Sequence, residues 1–184
     1  MWTLSALVWL PTAVAFTESF YTVMVVSGRS MQPTLNPDDS KWRDVVLFDR
    51  YSVKLKQRFA RGDIVALKSP SDSKLLVKRI VALPGDTVKT LPPYPDAEVC
   101  IPQGHAWVEG DEPFRSEDSN YFGPVSLALV DSKLSAIIWP LDRFGPLELP
   151  SQRNPTNRRD PGWRRERDEI DREKRRQARV TIAQ

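Results

Sequence analysis

The stretch Leu75-Leu76-Val77-Lys78-Arg79-Ile80-Val81-Ala82-Leu83-Pro84-Gly85-Asp86 decides the fold class. Its apolar and β-branched residues run without the 3.6-residue spacing of a surface helix, and Pro84-Gly85-Asp86 closes the run as a turn does. Three further runs have the same form: Val45-Val46-Leu47-Phe48, Asp63-Ile64-Val65-Ala66-Leu67 and Ser135-Ala136-Ile137-Ile138-Trp139. Turn-forming residues bound them at Asn36-Pro37-Asp38-Asp39, Arg61-Gly62-Asp63 and Phe144-Gly145-Pro146. Strand signals begin at Tyr21, and no long helical period occurs between 21 and 147. The 16 Pro against 8 Gly suit a body of extended strand and loop. Leu91-Pro92-Pro93-Tyr94-Pro95 reads as loop, because proline cannot donate to a ladder. The expected body is mainly β.

Both flanks differ from this body. Residues 2–16 carry no charge, and the apolar character continues to Val26 with Glu18 as the only charged interruption. A membrane span needs about 20 apolar residues, so 2–24 suffices only if Glu18 is tolerated. No basic residue precedes the run, so it is neither a cleaved secretory peptide nor an Arg-rich presequence. It reads as an uncleaved anchor in membrane lipid, with a buried core helix as the alternative, and charge bias does not orient it. Residues 151–184 hold 11 Arg or Lys and 6 Asp or Glu, which leaves 16 and 18 for the first 150 residues. The basic excess therefore belongs to the tail. Ile170 is its only large aliphatic residue between 164 and 179, so the tail offers no apolar face and is expected to be a solvated helix or disordered. The chain divides into an N-terminal apolar segment (1–26), a β body (27–147) and a charged tail (148–184).

Several functions are excluded by composition. One cysteine, Cys100, permits no internal disulfide and no cysteine metal cage, and one histidine, His105, permits no His-rich metal site. Neither GxxxxGKS/T nor GxGxxG occurs, and no GxSxG elbow accompanies His105. No cofactor and no metal are expected. Nucleic acid is not an expected partner either: only the tail is basic, and its interleaved acids dilute the field.

Chemistry gathers in two stretches. Ser30 lies in Ser27-Gly28-Arg29-Ser30-Met31-Gln32-Pro33-Thr34-Leu35, a loop directly after the apolar N-terminus. Lys78 lies inside the strand quoted first, where alternation puts it on one face with Leu76 and Ile80 and turns Arg79 to the other. A lysine aimed into an apolar layer loses solvation, which favours its neutral form. A neutral lysine can take a proton from a serine hydroxyl. Taken alone, either stretch reads equally as a loop serine or a pair of solvated strand-edge charges.

A third cluster, Glu109-Gly110-Asp111 followed by Ser116-Glu117-Asp118-Ser119-Asn120 and Phe122-Gly123-Pro124-Val125, completes a pattern. In order with Ser30-Met31-Gln32-Pro33, Asp44-Val45-Val46-Leu47, Arg61-Gly62-Asp63-Ile64-Val65 and Lys78-Arg79, it resembles the type I signal peptidase family of Ser-Lys proteases, and most nearly its mitochondrial inner membrane branch. The resemblance covers about residues 20–147. It implies a signal-peptidase-like β body with an N-terminal apolar helix, a Ser30 nucleophile and a Lys78 general base. It also implies that Ser116 hydrogen-bonds the lysine and that Asp118 supports the site. The bacterial pattern has an arginine after that aspartate where this chain has Asn120, so Arg79 is the expected cation for Asp118. It has an oxyanion-donating serine where this chain has Gly28, which leaves the Ser30 N–H and a second, unnamed donor. The implied activity is removal of sorting segments from precursor polypeptides, with the body in the intermembrane space and a homologous subunit 1 as heterodimer partner. A non-catalytic stabilising subunit and a basic-tail nucleic-acid binder are the alternatives.

Overall fold

The computed structural model describes residues 20–38, 40–72, 74–147 and 163–183. Of the expected N-terminal apolar segment (1–26), residues 1–19 lie outside the described residues, and Tyr21–Val25 form a strand of the body, so the described end of the 2–24 span is strand and not helix. Among the described residues no helix is long and apolar enough to cross a membrane.

The body is antiparallel. Its strands are β1 (Tyr21–Val25), β2 (Val45–Asp49), β3 (Ile64–Lys68), β4 (Leu75–Ala82), β5 (Thr87–Lys89), β6 (Glu98–Cys100), β7 (His105–Glu109), β8 (Val125–Ser126), β9 (Val130–Trp139), β10 (Gly145–Pro146) and β11 (Val180–Thr181). The main sheet runs β1-β2-β9-β3-β4-β7-β8, with β10 beside β9, and a smaller sheet runs β11-β5-β6. The four apolar runs of the sequence are β2, β3, β4 and the end of β9. The expectation of a mainly β body is met.

The core explains why β3 reads as a continuous apolar run. Ile64 and Ala66 pack with Val46, Phe48, Leu134 and Ile137 on one face. Val65 and Leu67 pack with Ile80, Val108 and Val130 on the other. A strand covered on both faces has no polar side to show. A third cluster, with Val81, Val88, Ile101 and Trp107, joins β4 and β7 to the smaller sheet. Fully buried side chains such as Phe48 and Trp107 contribute roughly 2–3 kcal/mol each. β9 extends five residues further back than its apolar end, because Val130-Asp131-Ser132-Lys133-Leu134 alternates buried and half-buried positions. The buried polar member there is Ser132, whose hydroxyl has no partner among the described residues.

The tail departs from expectation. A helix spans Trp163–Gln177, and β11 then pairs antiparallel with β5, Val180 opposite Val88 and Thr181 opposite Thr87. Glu173 is buried, and Arg176 pairs with Asp111 at 2.9 Å. From Glu173 to Ala183 the tail is therefore docked on the body and is not a solvated appendage. Ion pairs hold the helix where an apolar stripe usually would, and hydrophobic periodicity does not register them.

Candidate active site

The hairpin of β3 and β4 sets the site's floor. Its register places Val65 opposite Lys78 and Ile64 opposite Arg79, so the two basic side chains leave opposite faces of the sheet. Lys78 is 3% exposed and donates from Nζ to Ser116 Oγ at 2.9 Å. Burial pushes the lysine below its ordinary pKa, against the opposing pull of Asp118 and Glu117. An ammonium among the apolar neighbours of Ile80 and Val65 is poorly solvated, which is why its neutral form gains.

Ser116 and Asp118 are arranged by their own local turn. Asp118 caps the one-turn helix Ser119–Phe122, accepting from the Asn120 N–H. Ser116 Oγ donates to Asp118 Oδ2 at 2.7 Å, and the Gly110 N–H donates to the same oxygen at 3.0 Å. The Asn120 amide donates to Asp118 Oδ1 at 3.0 Å and to Glu109 Oε1 at 3.2 Å. Asp118 is thus a buried carboxylate whose oxygens are satisfied without a direct cation. Ser119 Oγ accepts the Val108 N–H at 2.9 Å, which fastens this turn to β7.

Arg79 does something else. It grips Asp111 in a bidentate pair, Nε to Oδ1 at 2.8 Å and Nη2 to Oδ2 at 2.6 Å, and donates from Nη1 to the Gly62 carbonyl at 3.0 Å. The expected pairing of Arg79 with Asp118 is corrected here. Strand alternation sends Arg79 to the face away from Lys78, and Asp118 on the near side is already satisfied. Burial raises the Asp111 pKa, but Arg79, Arg176 and the Thr34 hydroxyl outweigh it and hold the carboxyl below the usual range.

Ser30 sits half-buried in the turn that follows β1. Its carbonyl accepts the Glu112 N–H at 3.0 Å. A Cβ placed on Gly110 would stand 2.3 Å from Ser116 Oγ and 2.6 Å from the Ser30 carbonyl oxygen. Ser30 and Ser116 therefore meet across Gly110, and only glycine leaves room. The Ser30 N–H and Oγ make no hydrogen bond among the described residues. Gly28 has φ +95°, a backbone region that L side chains rarely enter, which accounts for glycine where the bacterial pattern has serine. The turn is braced from behind. Asn36 exchanges hydrogen bonds with Asp44, N–H to Oδ2 at 2.8 Å and Oδ1 from the Asp44 N–H at 2.7 Å. Arg143 pairs with the fully buried Asp44 and donates to the Thr34 carbonyl at 2.8 Å.

The structure thus brings Ser30, Lys78, Ser116 and Asp118 around Gly110, and sets Arg79 behind them on Asp111. Sequence reasoning gave no role to Glu109, Asp111, Asp44 or Asn36. One signal was available: an arginine facing away from Lys78 in a buried strand requires a carboxylate on that face, and Glu109-Gly110-Asp111 supplies it. The docking of Arg176 and Arg179 left no such trace. Among the described residues no group of three or more His, Cys, Asp or Glu could hold a metal.

Residues 1–93 match the family model described as signal peptidase, peptidase S26. The chain is 43% identical over 145 residues to mitochondrial inner membrane protease subunit 2 of Saccharomyces cerevisiae, covering 78% of this chain and 82% of that one. The mouse (Mus musculus) subunit 2 is 44% identical over 149 residues, covering 79% and 84%. Subunit 1 of Schizosaccharomyces pombe is 42% identical over 128 residues, covering 67% and 76%. A crystal structure of a signal peptidase I from Enterococcus faecalis matches with TM-score 0.37 at 26% identity, covering 42% of this chain and 97% of that one. Relatives 43% and 44% identical, matched over 82% and 84% of their length, together with the family model over residues 1–93, show that the chain belongs to the peptidase S26 signal peptidase family, among its mitochondrial inner membrane proteases.

Proposed function

We propose that the chain is a membrane-bound serine endopeptidase that removes sorting or signal segments from precursors delivered to the mitochondrial intermembrane space. Ser30 is the nucleophile and Lys78 its general base. One observation carries the reading: a buried lysine, held below its ordinary pKa, has its amine aimed by Ser116 beside the Ser30 turn. Neutral Lys78 takes the hydroxyl proton as Ser30 Oγ attacks the scissile carbonyl. The C–N bond then breaks, and the proton passes from the lysine to the leaving amine. Water, deprotonated by the same lysine, cleaves the resulting ester and frees Ser30. The Ser30 N–H, unengaged among the described residues, points to an oxyanion donor. Ser116 and Asp118 orient the lysine, while Arg79 holds the Gly110–Asp111 corner through Asp111. Relatives named subunit 1 and subunit 2 support a homologous subunit 1 as partner, with the body facing the intermembrane space.

The test is precursor processing by membranes carrying single variants. Ser30→Ala, Lys78→Ala and Lys78→Arg should each lower cleavage by roughly a thousandfold or more, and the double alanine variant should add little. Guanidinium stays protonated, which is why arginine does not replace the base. The wild-type rate should rise with pH through the depressed lysine pKa, because the protonated amine accepts nothing. Full processing by Ser30→Ala would refute the dyad and leave a stabilising subunit as the reading.

A further inference from the structure

Glu109 and Asp118 are two buried carboxylates bridged by one neutral side chain. The Asn120 amide donates one proton to each, and its carbonyl accepts the Leu91 N–H at 2.8 Å, so its orientation is fixed. Register pairs Arg79 with Glu109 and Ile80 with Val108. Glu109 therefore lies on the Arg79 face of the sheet, and Asn120 reaches around the end of β7 to Asp118 on the Lys78 side. The cation that Asn120 does not provide is present, and it comes from the far end of the chain. Arg179 donates from Nη2 to Glu109 Oε2 at 2.5 Å and from Nη1 to the Lys89 carbonyl at 3.1 Å. Arg176 stands 3.9 Å from the same carboxylate and bonds Asp111. Every link from the tail to the catalytic lysine is thus a hydrogen bond or ion pair between buried or half-buried groups.

We propose that Arg176 and Arg179 are positioning residues for Lys78, acting through Glu109, Asn120, Asp118 and Ser116. They neutralise Glu109, which lets Asn120 hold Asp118 in place, and Asp118 in turn fixes the Ser116 hydroxyl that aims the amine. Without them Glu109 keeps the Trp107 indole and the shared Asn120 amide as donors but has no counter-charge. The network then loosens and its uncompensated negative field favours the ammonium form of Lys78. Both effects lower turnover, and the second moves the pH at which activity appears. The groups that face Lys78 directly are Asp118 and Glu117. Lys133 shares its face two strands away, paired with Asp63 at 3.4 Å. Arg29, beside Ser30, is exposed. None of these is altered below.

The inference rests on the Ser-Lys reading, so the experiment includes Ser30→Ala as its control. Full-length protein, in its complex, would be assayed on a cleaved precursor peptide across pH, with thermal melting in parallel. Arg176→Ala/Arg179→Ala should lower kcat roughly tenfold with KM changed less than about twofold, and move the rate midpoint up by about half a pH unit. Glu109→Gln should move the midpoint down, since it removes negative charge while both arginines remain. Arg179→Lys, which keeps the charge, should stay near wild type. A midpoint that does not move in the double alanine variant or in Glu109→Gln, with normal melting, would overturn the proposal, whatever happens to kcat. If the double variant does not fold, Glu109→Gln still decides by the direction of its shift, and Arg179→Lys by keeping the wild-type midpoint. Activity surviving in Ser30→Ala would overturn the dyad itself, whereas an inactive Ser30→Ala with unmoved midpoints sinks only the relay.

Discussion

At the scale of single residues, the site is organised by what Gly110 omits. Its missing side chain lets the Ser30 carbonyl and the Ser116 hydroxyl approach from opposite sides. Gly110→Ala should therefore part the Ser30 turn from Ser116 and Lys78, costing about 1–3 kcal/mol of stability from overpacking and, on the proposed function, roughly a hundredfold in kcat. Stopped assays of kcat and KM, read with urea unfolding, check both. Ser30 and Lys78 stood out only where the motifs around them were read in order, since each alone reads as a loop serine or a solvated strand-edge charge. The partner of Arg79 did not stand out, since Asp118 and Asp111 are equally acidic in a sequence. Only the pleat of β4 separates them, sending the Arg79 cation toward Asp111 and leaving Asp118 to neutral donors.

At the scale of elements, strands that are mainly apolar were readable, and a strand half built mostly of consecutive polar residues was not. β9 illustrates the difference. Its first half carries Asp131, Ser132 and Lys133, of which Asp131 pairs with Arg50 and Lys54, and Lys133 with Asp63. Ser132 is the odd member, fully buried opposite Ala66 with its hydroxyl unpartnered among the described residues. A buried polar group without a partner carries its desolvation cost uncompensated. Ser132→Ala should thus leave activity intact and leave stability equal or raised, by up to about 1 kcal/mol, as measured by denaturant midpoint. A loss beyond that would mean the hydroxyl has a partner. The C-terminal helix shows the opposite limitation: its order comes from Glu173, Arg176 and Arg179, residues that in a sequence resemble any solvated charge run.

At the scale of the whole molecule, one carboxylate gathers distant parts of the chain. Asp111 receives the Thr34 hydroxyl, the Arg79 guanidinium and the Arg176 guanidinium. Because its folded pKa lies below the unfolded value, the stability it contributes is fully present above the unfolded pKa of about 3.9 and is lost as pH falls through the folded one. Unfolding free energy should therefore decline in acid, and Asp111→Asn should flatten that decline while lowering stability at neutral pH. Replacing it with alanine leaves Arg79 buried and unpaired, at a cost of about 3–5 kcal/mol. The same convergence fixes an order of completion. Chains are synthesised from the N-terminus, so the turn carrying Ser30 and the strand carrying Lys78 exist before Arg176 and Arg179 do. Until the last stretch arrives, Glu109 and Asp111 wait without their late cations and β5 has an open edge. The body is buttressed by a stretch made after it, so a chain that stops before Arg176 lacks its brace even though the whole β body is present.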